Sequence, residues 1–307
     1  MSYYTERHGM RKPINKTYEI TPQEYSLLLK CCEKYYDNIA WRFPEQCPDG
    51  CGCCGLDYNQ FNLDLKYEIP GLYRSDSDQI ATPSVRHNFF SNETTIDDYD
   101  PFSLLDYIEF FAQNCRDVVV TDFHRYFGHH HLHLRDTDSV FKQFQTDIND
   151  IFRKTGLLYH LTDSKIIERI VENTPLTQEI ENAVSQIAEK GTKELLEEAI
   201  VLYKQPYPES ARDAAEKIWD ALERLKTYYT NLDKKDSASK IVDDMAGGNA
   251  AFVKLFDDEF TALTKIGNGF RIRHHETNKV DITDPRHYDY FFNRCLSLIA
   301  LAIQYLQ

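Results

Sequence analysis

Apolar residues recur at the period of an α-helix along the last third of the chain. Ala211, Ala215, Ile218, Leu222, Leu225 and Tyr229 follow one another at alternating spacings of four and three, which draws one continuous stripe down a helix near 208–229. Tyr288, Phe292, Cys295, Ile299, Ala302 and Leu306 repeat the alternation in a last helix that opens on Asp284 and Pro285, a capping residue followed by the preferred first residue. Phe252, Phe256, Phe260, Leu263 and Ile266 mark a helix between them, predicted to stop at Gly267-Asn-Gly269 because glycine favours termination. Such stripes must be buried against one another, so residues 176–307 are expected to form an up-and-down helical bundle.

The pattern before residue 175 is mixed. Residues 22–37 read as a helix with Thr21 as cap and Pro22 at its first position, followed by a Pro-, Gly- and Cys-rich loop to about residue 57. Pro70, Pro83 and Pro101 punctuate a polar stretch that reads as extended connection, and 102–115 is helical again. Val118–Val120 and His129–Leu134 read as strands, and 157–161 with 166–170 as a β-hairpin. Phe141, Phe144, Ile148, Ile151 and Phe152 lie between them at helical spacing. The expected fold class is therefore α+β, mainly α: an N-terminal α+β domain over 1–175 with a short antiparallel sheet or hairpin, and a helical domain over 176–307.

Composition narrows the class. At 307 residues, 42% hydrophobic and 27% charged, the chain has the make-up of a globular protein. No apolar run reaches the roughly 18 residues that span a bilayer, and the start lacks a signal-peptide core, so the expected location is cytoplasmic, with no membrane partner. A formal net charge of −14 argues against a broad non-specific nucleic-acid surface, which needs clustered cations. It leaves room for a small basic site, and Lys226, Lys234, Lys235 and Lys240 with the 265–279 segment make the last third locally more basic.

The densest candidate chemistry is Lys265-Ile-Gly-Asn-Gly-Phe-Arg-Ile-Arg-His-His-Glu276. Imidazole exchanges a proton near neutral pH, and guanidinium offers a permanent charge shaped for phosphate oxygens. Together these groups suffice to cut a phosphodiester without a metal. If the chain is helical beyond Gly269, Arg271 shares a face with His274 and His275; if extended, Arg271, Arg273 and His275 line one side. A structural alternative pairs Arg273 and His274 with Glu259 or Asp289 to pin the bundle.

Several strings resemble AbiJ-type abortive-infection proteins carrying a helical domain of the HEPN superfamily: Tyr4-Thr-Glu-Arg-His-Gly-Met-Arg-Lys12, Phe127-Gly-His-His-His-Leu132 with Asp147-Ile-Asn149, and Trp219-Asp-Ala-Leu-Glu-Arg-Leu-Lys-Thr227 leading to the Arg/His segment. The resemblance implies an antiviral or toxin-like endoribonuclease, acting as a homodimer on RNA (tRNA among the candidates) without a cofactor, with a possible further partner from a defence system. Histidine would help the ribose 2′-hydroxyl attack the neighbouring phosphate while arginine stabilises the developing charge. By this resemblance Arg271, Arg273, His274 and His275 are the catalytic candidates, with Asn268 and Glu276 in support. Active members of the HEPN superfamily carry an arginine, usually followed by a polar residue, then four to six residues, then a histidine. Here the position with six residues between it and His274 is Gly267, followed by Asn268, while only three residues separate Arg271 from His275. The alternative reading is therefore an inactive sensing or protein-interaction subunit.

Two further clusters invite a metal reading. Six of the eight cysteines fall between residues 31 and 54, among them Cys47, Cys51, Cys53 and Cys54, and five histidines lie between His124 and His133. Zinc needs four converging ligands, and the cysteines lack two paired ligand sets, while His129, His131 and His133 would share a strand face and can ligate a metal but have no acidic partner fixed by sequence. Each cluster is expected to be structural: loop or buried thiols in one, hydrogen-bonded histidines on a polar strand in the other, with zinc and redox sensing as alternatives for the thiols.

Overall fold

The computed structural model describes residues 4–10, 12, 14–87, 94–172, 174–205, 208–272 and 278–306. It divides into two compact units, residues 1–170 and 171–307. The chain is a mainly helical α+β protein, with small antiparallel sheets in the first unit and helices from 178 to 302 in the second.

In the first unit the elements run α1 (Tyr4–Arg7), α2 (Pro22–Glu33), α3 (Tyr36–Ile39), β1 (Pro44–Gln46), β2 (Cys53–Leu56), α4 (Tyr58–Glu68), β3 (Val85–His87), β4 (Thr94–Ile96), α5 (Pro101–Asn114), β5 (Val118–His124), β6 (His129–Leu134), α6 (Phe141–Thr155), β7 (Tyr159–Leu161) and β8 (Ile167–Arg169). The helix expected over 22–37 stops at Glu33, and a turn redirects the chain into the single turn of α3. The Cys-rich stretch is a short hairpin, β1–β2, and the 70–101 connection contains the β3–β4 hairpin.

The core of this unit is aromatic. Tyr25, Leu28 and Leu29 of α2, Tyr107, Ile108 and Phe111 of α5, and Phe144, Ile148 and Phe152 of α6 are buried together. Gly156 ends α6 at φ 83°, a conformation that favours glycine, and backbone Asn15 O lies where a Cβ would stand. The four-stranded sheet has the order β1-β2-β6-β5, all antiparallel, with only one residue pair, Cys53 with Leu132, joining β2 to β6. Its own apolar cluster is small: Ala40, Cys53 and Leu132, with Val118 and Leu134 packed against them.

Asp117 fixes the start of β5 to the turn that leads into α6. Its carboxylate accepts from Thr137 Oγ1 at 2.6 Å, Val140 N at 2.7 Å and Ser139 N at 3.1 Å. These donors, the Thr137 hydroxyl first, hold its pKa down at about 2, below the ordinary 3.8. A depressed carboxylate contributes stability that is complete above the unfolded value and lost as the pH falls through the folded one. The gap in melting temperature between wild type and Asp117→Asn is therefore expected to be constant above pH 5 and to shrink steadily between about pH 4 and pH 2; thermal unfolding across that range checks it.

The second unit is built from α7 (Gln178–Ser185), α8 (Lys190–Lys204), α9 (Pro208–Leu225), α10 (Lys234–Ala246), α11 (Ala250–Gly269) and α12 (Pro285–Ala302). The alanine-rich face of α9 lets α8 and α12 pack closely on it, with Ala211, Ala214, Ala215, Ile218, Ala221, Leu222 and Leu225 buried. Tyr203 of α8 stacks on Phe292 of α12 at 3.8 Å between ring centroids. Arg294 of α12 holds Glu259 of α11 in a two-pronged pair at 2.9 Å to each oxygen, so this glutamate serves Arg294. Glu189 caps α8 through Gly191 N and Thr192 N and grips Arg224 of α9; the arginine is the main cause that drives its carboxyl far below the usual range.

Helix α11 ends at Gly269, within the expected Gly267-Asn-Gly269 stop. Gly267 is buried, and a Cβ there would stand inside the indole of Trp219 on α9. The glycine is needed to seat the Trp219 side chain against α11 and does not act as a terminator.

Candidate functional site

Of the candidate catalytic residues, Arg273, His274, His275 and Glu276 lie outside the described residues; Asn268 and Arg271 are described. Asn268 is in the last turn of α11, and its carbonyl accepts from Lys279 Nζ. Beyond the helix, Phe270 pairs with Val280, Arg271 N donates to Val280 O at 2.8 Å, and Val280 N to Gly269 O at 3.1 Å. Ile272 is fully buried. The chain on both sides of 273–277 is thus fixed by a backbone ladder and an apolar anchor. Arg271 Nη1 pairs with Asp281 Oδ1 at 2.7 Å, with both side chains over a third exposed. An exposed pair of this kind is worth under about 1 kcal/mol, so a phosphate can compete for the guanidinium.

Helix α11 also borders a groove of about 690 Å³ lined by Lys226, Lys234, Lys235, Lys265, Asp257 and Thr264. Glu223 holds Lys226, and it holds Lys234 at 2.7 Å. Four lysines against two acids leave the groove positive in a chain that is strongly negative.

The first unit holds the other constellation, made of residues taken from both metal-like clusters. Cys47 and Cys51 lie in the loop of the β1–β2 hairpin, which glycine shapes. Gly50 N donates to Cys47 O and Cys47 N to Gly52 O, both at 2.8 Å, while Gly50 and Gly52 take φ of 70° and 132°. His124 ends β5 and His131 lies in β6. Cys47 Sγ is 3.3 Å from Cys51 Sγ and 3.3 Å from His124 Nδ1; Cys51 Sγ is 4.0 Å from His124 Nδ1 and 3.7 Å from His131 Nε2. All four donor atoms lie within 4.8 Å of one another. The hydrogen bond with Cys47 holds the Cys51 thiol above its ordinary pKa. Asp49, from the same loop, reaches His124 Nε2 at 3.3 Å.

A β-bulge makes this convergence possible. Val120 pairs with Leu132 but Phe123 with His130, so β5 carries Thr121 and Asp122 opposite the single residue His131. Paired residues share a face. Without the extra residue, Phe123 would face the thiols and His124 the opposite side; with it, His124 pairs with His129 and joins His131. Cys53 and Cys54 do not take part: Cys53 is buried beside Leu132, and Cys54 Sγ donates to Glu45 O at 3.5 Å. Along the sequence the thiols and the imidazoles stand as separate clusters. The signal for joining them was two hairpins that each carried one pair of ligand-type residues.

Among the described residues no helix is long and apolar enough to cross a membrane. No curated protein and no solved structure matches the chain. The family model for AbiJ N-terminal domain 4 matches residues 2–186, which takes in all of the first unit but Met1, its Cys/His constellation included, and the helix α7. By that match, over more than half of its length, the chain belongs to the AbiJ N-terminal domain 4 family.

Proposed function

We propose that this chain is an abortive-infection defence protein whose second unit is a HEPN-like, metal-independent endoribonuclease. Family membership supports the defence role. The observation that carries the nuclease reading is the lysine-lined groove, because α11 contributes Lys265 to it and four residues later ends and delivers the chain to Arg271. An RNA backbone in that groove would neutralise lysines by releasing counterions and would lead a phosphate to the Arg/His segment. There His274 or His275 takes the 2′-hydroxyl proton, and Arg271 and Arg273 stabilise the charge that develops on the phosphate. Asn268 and Glu276 support the segment. A homodimer is the working assembly in this reading, and exposed Phe252, Leu255 and Tyr290 on α11 and α12 offer it an apolar surface.

The reading is tested by incubating the full chain with total tRNA in buffer free of divalent cations, with and without EDTA. Cleavage is expected to leave 2′,3′-cyclic phosphate ends and to fall at least about 100-fold in the His274→Ala, His275→Ala double variant, the scale typical of losing a general base. Cutting that survives in that variant rules out the assigned residues. A second reading, an inactive HEPN-like sensing or protein-interaction subunit, is favoured by Gly267, whose packing on Trp219 excludes a side chain where the resemblance to HEPN nucleases implies an arginine. RNA binding without cleavage by the wild type selects it.

A further inference from the structure

We infer that Cys47, Cys51, His124 and His131 bind one zinc ion, and that this ion is a structural staple of the first unit. Tetrahedral zinc, with Zn–S of about 2.3 Å and Zn–N of about 2.0–2.1 Å, sets neighbouring donor atoms roughly 3.3–3.8 Å apart. Four of the donor pairs here measure 3.3, 3.3, 3.7 and 4.0 Å, and none of the six exceeds 4.8 Å. The two sulfurs, at 3.3 Å, are too far apart for a disulfide, whose bond is about 2.05 Å. Two thiolates and two imidazoles are the borderline-soft set that selects zinc over magnesium or calcium.

Two features beyond the cluster itself point the same way. The first is the orientation of His124. Its Nδ1 faces the thiols while its Nε2 meets Asp49 Oδ2, the carboxylate–histidine arrangement that fixes a ligand's tautomer and raises its basicity. Asp49 comes from the turn that carries the two cysteines, so one loop supplies two ligands and the group that orients a third. The second is the weakness of the sheet around the site. The β1–β2 and β5–β6 hairpins are joined by one residue pair over an apolar cluster of three buried residues. Such a patch buries too little apolar surface to hold two hairpins in register, and small folds in that position commonly use a metal. The site supplies one thiolate pair from the first hairpin and one imidazole pair from the second, so the ion clamps the place where backbone pairing is thinnest.

All four positions are filled by protein, which makes the centre structural and leaves none for substrate. Binding converts two thiols to thiolates and releases two protons, and the centre formed from Zn²⁺, two thiolates and two neutral imidazoles carries no net charge.

The full chain purified under reducing conditions without added chelator is expected to carry one zinc per chain by mass spectrometry of metals. Cobalt substituted for zinc should give tetrahedral d–d absorption with a thiolate charge-transfer band. Cys47→Ser, Cys51→Ser should lose the metal, as should His124→Ala, whereas Cys54→Ser and His133→Ala should keep it. Asp49→Asn keeps all four ligands and is expected to raise the zinc dissociation constant about 10–100-fold, which a merely structural loop aspartate would not do. The inference is overturned by a metal-free protein that also fails to take up zinc or cobalt, by full zinc retention in the Cys47→Ser, Cys51→Ser variant, or by a Cys47–Cys51 disulfide detected by intact mass in protein never exposed to oxidant.

Discussion

Gly267→Arg, which would put an arginine where the resemblance to HEPN nucleases implies one, with six residues between it and His274, is expected to unfold the second unit without creating a catalytic pair. Replacing a helical glycine ordinarily stabilises a helix by up to about 1 kcal/mol. Here even a single methyl group would stand inside the indole of Trp219, which is itself 6% exposed and held in the core of the unit. Overpacking of that kind costs about 1–3 kcal/mol for a methyl group and more for a side chain that cannot leave the interface. Two comparisons make the mechanism visible. Gly267→Ala should destabilise by about 1–2 kcal/mol, with a sign opposite to helix propensity. Combined with Trp219→Ala, the cost of Gly267→Arg should drop, because the cavity receives the new chain and the two positions are coupled. Urea unfolding followed by far-UV circular dichroism measures these variants and Trp219→Ala alone. An arginine variant as stable as wild type would show that α9 and α11 are not packed at this point.

The second large effect is expected in the first unit. Phe61 of α4 is fully buried, and its ring lies 5.5 Å from Phe43, 5.7 Å from Tyr36, 6.2 Å from both Phe110 and Phe111, and 6.3 Å from Tyr107, centroid to centroid. Phe61→Ala removes an aromatic ring from the middle of rings that cannot all collapse inward, a change that costs about 3–5 kcal/mol. Phe61→Leu keeps most of the volume and should cost no more than about 1.5 kcal/mol. The chain has two tryptophans, Trp41 in the first unit and Trp219 in the second. In a Trp219→Phe background, fluorescence therefore reports on the first unit alone. With Trp41→Phe used in the same way to follow Trp219 in the second unit, a shift in the Trp41 transition with an unchanged Trp219 transition is the expected result; equal shifts in both would mean that the units unfold together.

Elements whose signal is local are found at or near the positions expected from sequence. The stripes of α9 and α12, the Asp284-Pro285 start, the Phe141–Phe152 face of α6 and the β7–β8 hairpin all rest on spacing within one segment. That spacing survives folding because a helix or a tight hairpin closes its hydrogen bonds within the segment. The role of Gly267 has the opposite origin. Gly267 looks like a stop signal locally, but its meaning is set by Trp219, which lies 48 residues earlier. The catalytic candidates divide in the same way. The run of arginines and histidines is legible at once, whereas the engagement of Arg271 by Asp281 and of Glu259 by Arg294 depends on how the chain returns through 278–281 and along α12.

By itself, then, the sequence determined the helical second unit, the mixed first unit, the family strings, and the kinds of ligand and catalytic group available. Tertiary structure alone decided which of them meet. Cys47 and His124 are 77 residues apart, and no periodicity within either segment specifies that distance in space. Their meeting depends on β2 pairing with β6 and on one extra residue in β5 that turns His124 to the thiol side. Strand pairing and bulges are contacts between segments, so they are settled only when the segments pack.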